Sequence, residues 1–410
     1  MSDHTSARTV PTRRECVKYA GAAVGGALLA GCTGVRDPSD DGNGSGGEGS
    51  YSVTMEPVGT VSFETAPASW VGGFGFTADV LTALGRADGV AGMAGPSFWF
   101  QGFYDALGVE TPDPSEIPKI SSEDWTIDLE TLYETDPDVF TVDPNVLLSY
   151  GVSETELDRL IDGVAPFLGN ASRRKRAEGW PNWPDGEPYG YYDIPTMVRL
   201  YGKAFDASDR ATALVEIYER ALTGITDRVP TGTDRPTVGV LNGRYTPENR
   251  SGFVVYNPAS EIEKTYGKKQ YRDLDVRDAF AGIYDGRSSV TVDYETLLEY
   301  DPDVIIFHLG VVHRDLGGAN LVRPTIDLLA DHPVARKVTA VEDDALYVGG
   351  TPYQGPISNL FQSEMTAKQL YPDIFGEWPG FTDGEPYPEI PEDERLFDRQ
   401  RLVDIVEGGV

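Results

Sequence analysis

Asp128-Leu129-Glu130-Thr131-Leu132-Tyr133-Glu134-Thr135-Asp136-Pro137-Asp138-Val139 is matched 165 residues later by Asp293-Tyr294-Glu295-Thr296-Leu297-Leu298-Glu299-Tyr300-Asp301-Pro302-Asp303-Val304, with nine of the twelve positions identical. A period this long means two related lobes rather than a solenoid of small repeats. Each copy reads as a short helix, an Asp-Pro-Asp turn and a strand. Proline ends the helix because it cannot extend the hydrogen-bond ladder and restricts the residue before it. Val304-Ile305-Ile306-Phe307 is a continuous apolar run, as expected of a strand buried on both faces of a parallel sheet. Val139-Phe140-Thr141-Val142 is its weaker twin. Further strands are expected at Val90–Met93, Val238–Leu241 and Leu346–Val348, with helical patterns between them, so both lobes read as α/β.

One helix stands out between the repeats. Ala211, Leu214, Ile217, Tyr218, Ala221, Leu222 and Ile225 keep helical spacing from Ser208 to Val229,. Ser208 is the expected N-cap and Pro230 the stop. Its length, about 33 Å at 1.5 Å per residue, suffices to join two domains.

Residues 1–31 read as an export signal and are set apart from the fold. Thr12-Arg13-Arg14-Glu15-Cys16-Val17-Lys18 resembles the twin-arginine motif. The apolar run from Ala20 to Ala30 that follows is shorter than the roughly 20 residues needed to span a bilayer. Leu29-Ala30-Gly31-Cys32 resembles a lipobox, which makes Cys32 the lipidated N-terminus of the mature protein. The chain has two cysteines. Since Cys16 leaves with the signal, the mature body has no thiol for a disulfide, a zinc–thiolate site or nucleophilic catalysis. Residues 32–50, rich in Gly, Ser and Asp, read as a flexible tether.

Composition narrows the partners. The 410 residues carry 34 Lys plus Arg against 66 Asp plus Glu, a net charge of −32. A surface this negative repels phosphate backbones, which excludes nucleic acid. Hydrophobic residues at 40% exclude a disordered chain,. Among the cations 25 are Arg and 9 are Lys. Few lysines with abundant acids suit a protein adapted to very high salt, as in an extreme halophile, where screening shortens the range of self-repulsion.

The pattern resembles the helical-backbone (class III) substrate-binding lipoproteins of ABC transporters, which serve iron–siderophore, haem and cobalamin importers. Ala66-Pro67 followed by Thr77–Gly92 is similar to that family's opening strand, loop and helix ending in Leu-Gly. Both Glu…Asp-Pro-Asp-Val segments, His332-Pro333-Val334 with Thr339-Ala340-Val341, and Leu370-Tyr371-Pro372-Asp373-Ile374-Phe375 match in the family's order over about residues 58–375. The resemblance implies a fold of two Rossmann-like α/β lobes with central parallel sheets, bridged by one long helix, with the ligand cleft between the lobes. Expected boundaries are 51–195 for the N-terminal lobe, 196–230 for the bridging helix region and 231–410 for the C-terminal lobe with a terminal helix. It also implies a monomer, lipid-anchored to the outer face of the cytoplasmic membrane, partnered by an ABC permease and its ATPase. By position in the repeat, Glu130 and Glu295 correspond to the two glutamates with which the family docks on its permease; a first-turn acid favoured by the helix dipole is the plainer reading of each.

Cleft residues in such folds come from loops after strand ends. Gly72-Gly73-Phe74-Gly75-Phe76-Thr77 precedes a helix and lets backbone approach a ligand closely. It lacks the spacing of a nucleotide loop. Phe98-Trp99-Phe100 and Tyr104 follow another strand, and consecutive aromatics cannot all face one core. An insertion at about 170–195 holds Arg173-Arg174-Lys175-Arg176 next to Trp180, Trp183, Tyr189, Tyr191 and Tyr192. A basic run is commonly a solvated face. In so acidic a chain it can also attract an anionic chelate, with aromatics packing on the organic part. On the second lobe the candidates are Arg244, Tyr245, Tyr256, His308, Arg314 and Tyr353. Outside the signal the histidines are His308, His313 and His332. Naked zinc or manganese needs clustered histidines and carboxylates, so a chelated metal fits better and no bound cofactor is expected. Ferric iron held directly by tyrosines ranks below the chelate.

The leading expectation is therefore an extracytoplasmic binding protein, not an enzyme, that captures a metal chelate such as a ferric siderophore. Cobalamin or haem is the alternative within the class. A secreted, lipid-anchored hydrolase is the alternative outside it, but no GxSxG, HExxH or Walker pattern occurs,. A sensory binding protein without a transporter is a third reading. Asn43, Asn170 and Asn249 each begin a glycosylation sequon,.

Overall fold

The computed structural model describes residues 49–410 except 233–234, 311–316 and 381–386. The twin-arginine stretch, Cys32, most of the tether, His313 and Arg314 lie outside the described residues. Among the described residues no helix is long and apolar enough to cross a membrane.

Strands β1 (Tyr51–Met55) and β2 (Gly59–Phe63) form an antiparallel hairpin that packs on the Ile194–Ala204 helix. In the first lobe, β3 (Trp70–Gly72) lies between β4 (Val90–Met93) and β5 (Val139–Phe140), all parallel. In the second lobe, β6 (Thr237–Asn242), β10 (Val304–His308) and β11 (Leu346–Val348) are parallel neighbours in the order β11-β10-β6. This sheet is not wholly parallel as expected. Strands β7 (Phe253–Tyr256) and β9 (Ser289–Val292) extend it antiparallel, and β8 (Arg277–Asp278) pairs with the start of β6. The chain turns straight back after β6 instead of crossing over through a helix, and short connections favour antiparallel pairing.

All five residues of β10 are buried. Val304 and Ile306 face one apolar cluster with Val238 and Val240, while Ile305 and Phe307 face the other. The alternation follows from the two-residue period of a strand, and it shows apolar cover on both faces. The larger cluster is continuous from Val53 in β1 to Val406 near the C-terminus.

The two repeated segments fold alike. Asp128 and Asp293 cap the helices Leu129–Glu134 and Tyr294–Tyr300, accepting from the N–H of Thr131 and Thr296. Asp136 and Asp301, before the prolines, take left-handed backbone with φ of 35° and 41°. Proline disfavours right-handed helix in its predecessor, and Asp tolerates the left-handed region better than most residues. Asp138 then accepts from the N–H groups of Ala68 and Ser69, and Asp303 from the N–H and hydroxyl of Thr237. Each copy thus ties its strand to the start of the neighbouring strand.

The long central helix runs Ser208–Thr226, 19 residues or about 28 Å,. It is shorter than expected, and the N-cap is Ala207 rather than Ser208, with no side-chain cap. A second long helix, Pro356–Leu370, is buried along its whole length, and it packs on the central helix, on Gly75–Ala83 and on Lys269–Asp273. The terminal helix Arg399–Glu407 packs on the central helix and on Gly75–Ala83, so the chain ends against the first lobe.

Candidate functional site

Where the two lobes meet, loops following β3 and β5, the 170–180 segment and two residues of the second lobe enclose a cavity of about 270 Å³. The β3 loop supplies Phe74 and Phe76. Asp143 follows β5, Tyr150 ends the Pro144–Ser149 helix after it, and the inserted segment supplies Arg173, Arg174, Lys175, Arg176 and Trp180. Tyr201 forms the floor, and Tyr266 and Tyr353 come from the other lobe. The first two donor segments follow the ends of β3 and β5, while the third lies in the irregular stretch between the Glu154–Gly163 and Ile194–Ala204 helices,.

Aromatic pairs join the lobes. Phe76 stacks on Tyr266 with centroids 4.1 Å apart, and Phe74 stacks on Tyr353 at 4.7 Å. Phe98, Trp125 and Tyr150 extend this cluster around Phe74. Such pairs contribute about 0.5–1.5 kcal/mol each beyond the burial of their area.

The charge of the site is positive. The Arg173 guanidinium lies 5.0 Å from the centre of the Tyr353 ring. Among the described residues none of Arg173, Arg174 or Lys175 has a carboxylate within 4.0 Å. The charge of Arg173, followed by partial burial, holds the Arg174 pKa below its ordinary value. Arg176 is spent structurally: it sits on the rings of Tyr189 and Tyr191 at 3.5 and 4.0 Å and donates to the carbonyls of Tyr189 and Gly190. Among the described residues Asp143 is the one acid in the wall. It accepts from Asn145 N–H, Ala171 N–H and the Tyr189 hydroxyl. Burial nevertheless raises its pKa, against those three bonds. The wall therefore offers an anion free cations and a polarisable aromatic surface.

Of the expected ligand residues, Phe74, Phe76, Arg173, Arg174, Trp180 and Tyr353 line this cavity. The others lie elsewhere. Trp99 and Tyr104 are core residues at 1% and 0% exposure, and Tyr104 donates to the buried Asp79. Their run splits, and Phe98 alone turns to the aromatic cluster. Trp183 pairs through its backbone with the Asn145 side chain. Tyr191 accepts from Arg176 N–H, so both act in holding the insertion together. Arg244 lines a separate open groove with Thr246, Glu248 and Thr325, and the Tyr245 ring lies under Arg250. Tyr256 accepts from Asn242. His308 is buried against Tyr271 and Tyr256, and burial, then Lys268 and Arg173, push its pKa well below the usual value. It does not line the cavity. Arg314 lies outside the described residues.

Asp143, Tyr150, Tyr201 and Tyr266 escaped sequence reading. Asp143-Pro144 after β5 carried a signal, an N-cap before a proline at a strand end,. Tyr266 carried none, because its place depends on the other lobe. Asn170 is buried, and its amide donates to the carbonyls of Glu56 and Gly190, which leaves no free nitrogen for a glycan. Glu130 and Glu295 are both exposed in the first turns of the repeated helices. Among the described residues no group of three or more His, Cys, Asp or Glu could hold a metal ion.

Two α/β lobes around an inter-lobe cavity are an architecture suited to holding a solute. The chain belongs to the periplasmic binding protein family, whose model matches residues 73–353. Members of that family are exported binding proteins, not enzymes. No curated protein matches the chain. Among solved structures, a periplasmic binding protein from Veillonella parvula is similar at 16% identity and a TM-score of 0.54, covering 79% of this chain and 98% of the other. The TroA-like periplasmic binding protein FepB of the same organism gives 16% and 0.53, covering 82% and 92%. CeuE of Helicobacter pylori, solved as a Ni-His complex, gives 14% and 0.52, covering 80% and 90%. At these identities the likeness is one of fold.

Proposed function

We propose that the protein is the extracytoplasmic substrate-binding component of an ABC importer and that it captures an anionic metal chelate, a ferric siderophore foremost, for delivery to a permease and its ATPase. One observation carries this reading: a cavity between lobes whose free charges, Arg173, Arg174 and Lys175, are all positive, set among seven aromatic side chains, in a chain of net charge −32. Cations over aromatic faces suit a flat, negatively charged organic shell around a metal. A metal arriving in such a shell needs no ligands from the protein. The cavity volume is near the lower end of small-molecule sites, which run about 300–1,000 Å³, and this favours a compact chelate over a corrinoid or haem.

The remaining parts of the reading rest on sequence. Signal and lipobox support export and a lipid anchor at Cys32, with the body monomeric outside the cytoplasmic membrane. The composition supports a halophilic host. The repeat supports lobes at 51–195 and 231–410 joined through 196–230, and Glu130 and Glu295 as permease-docking residues, one carboxylate per lobe.

The test is titration of the purified protein with ferric catecholate, hydroxamate and citrate complexes, haem and a corrinoid, followed by tryptophan fluorescence with Trp180 as a reporter in the wall. At least one ferric chelate binds with submicromolar affinity, and Arg173→Ala with Arg174→Ala weakens it about a hundredfold, as expected for two charge-assisted contacts. A flat response to every compound overturns the ligand class. Preference for haem or the corrinoid moves the protein to the alternative cargo.

A further inference from the structure

The basic segment of the cavity is gripped from both lobes. On the first-lobe side, Ala171 N–H donates to Asp143 at 2.6 Å, and the Ser172 hydroxyl accepts from Tyr192 N–H at 2.8 Å. On the second-lobe side, Tyr266 N–H donates to the carbonyl of Ser172 at 3.2 Å and Gly267 N–H to that of Arg173 at 2.7 Å. This is a two-rung backbone ladder across the lobe junction. It fixes the Cα of Arg173, from which the guanidinium reaches Tyr353.

We propose that Gly267 is a positioning residue for ligand capture: by its backbone bond to Arg173 it sets that cation in the wall and fastens the two lobes around the cavity. The proposal deepens the anionic-chelate reading and rests on it for the ligand. Gly267 is required for a steric reason. A Cβ there would sit 2.6 Å from the Arg173 carbonyl oxygen and 3.3 Å from its Cγ. The first distance is far inside van der Waals contact. Side-chain relaxation cannot relieve it, because the obstacle is backbone, and the chain two residues earlier is tied to the first lobe by the bond from Ala171 N–H to Asp143. The smallest side chain therefore pushes Arg173 away from the second lobe while leaving every charge in place. Arg173→Ala does the reverse, removing the charge and keeping the backbone acceptor.

The experiment compares wild type, Gly267→Ala and Arg173→Ala by amide hydrogen exchange without ligand and by stopped-flow dissociation of the tightest ferric chelate. In Gly267→Ala, exchange over 266–267 quickens and the chelate leaves about tenfold faster at nearly unchanged association rate, since a lost cross-lobe bond acts on dissociation. In Arg173→Ala, affinity falls but protection over 266–267 stays. Unchanged exchange and dissociation in Gly267→Ala overturn the proposal. Should that variant fail to fold, wild type decides: the 266–267 amides gain protection on ligand saturation, and no gain overturns it. Absence of chelate binding by wild type would defeat the functional reading, while the ligand-free exchange comparison would still judge the backbone link.

Discussion

Asp79 shows how one carboxylate can hold a lobe junction. It is fully buried on the Gly75–Ala83 helix, accepts from the Tyr104 hydroxyl, and accepts at 3.0 Å from Ser358 N–H at the start of the Pro356–Leu370 helix. An acid there suits the positive end of that helix. Burial outweighs these bonds and raises its pKa from 3.8 to about 6. The native chain thus holds this proton more tightly than the unfolded chain. Its contribution is full below the unfolded value of 3.8 and is lost as pH rises through about 6,. Between wild type and Asp79→Asn, the stability difference should therefore shift toward wild type by about 3 kcal/mol as pH falls from neutral to the unfolded pKa. Urea denaturation across that range measures it, and a flat difference refutes it. A second expectation at this scale concerns Asn170: mass spectrometry of protein from the native host finds no glycan there, because its amide is buried and doubly bonded.

The Pro356–Leu370 helix was the element least visible in the sequence. It carries Asn359, Gln362, Glu364, Lys368 and Gln369, all buried. Several of these groups find partners outside the helix, while among the described residues the Oε1 atoms of Gln362 and Gln369 accept no hydrogen bond. Asn359 accepts from Tyr218 of the central helix, and Lys368 donates to the Phe375 carbonyl. Glu364 accepts from Arg399, Tyr387 and Leu396 N–H of the C-terminal tail. A buried carboxylate that loses its cation is expensive to keep charged. Arg399→Ala should cost about 3–5 kcal/mol in urea or thermal unfolding, and Arg399→Met with Glu364→Gln should recover most of it. Equal stability of Arg399→Ala and wild type would show the tail pairing to be idle. The repeated helices, by contrast, were legible as short helices ending at an Asp-Pro-Asp turn, since those signals act within a dozen positions of chain; their Asp128 and Asp293 caps emerged only in the structure.

At the scale of the whole molecule, a net charge of −32 is the dominant fact. Like charges spread over one surface repel and destabilise the compact state, and salt relieves this as the Debye length falls from about 10 Å at 0.1 M to about 3 Å at 1 M. The melting temperature should rise by several degrees over that range of potassium chloride in calorimetry; a constant or falling value would mean that self-repulsion does not limit stability. On the proposed function, the same screening weakens capture of an anionic ligand by Arg173 and Arg174 and leaves more of the affinity to the aromatic side chains of the wall.

By itself the sequence determined the α/β class, the duplicated helix–turn–strand unit, five core strands though not β3 at the centre of the first sheet, and the helix between the repeats, because proline stops and apolar periodicity act over short stretches of chain. It also pointed to Phe74, Phe76, the arginine run, Trp180 and Tyr353. Only tertiary structure decided which aromatics face the cavity. Trp99 and Tyr104 have the same chemistry as Trp180 and Tyr353, yet packing against Asp79 and the core takes them inside. Tertiary structure likewise turned Arg176 and Tyr191 into scaffolding, added antiparallel strands to the second sheet, and brought Tyr266 and Gly267 onto Ser172 and Arg173. Those outcomes depend on contacts between distant residues, whose cost in chain entropy is met only when both lobes are folded and packed.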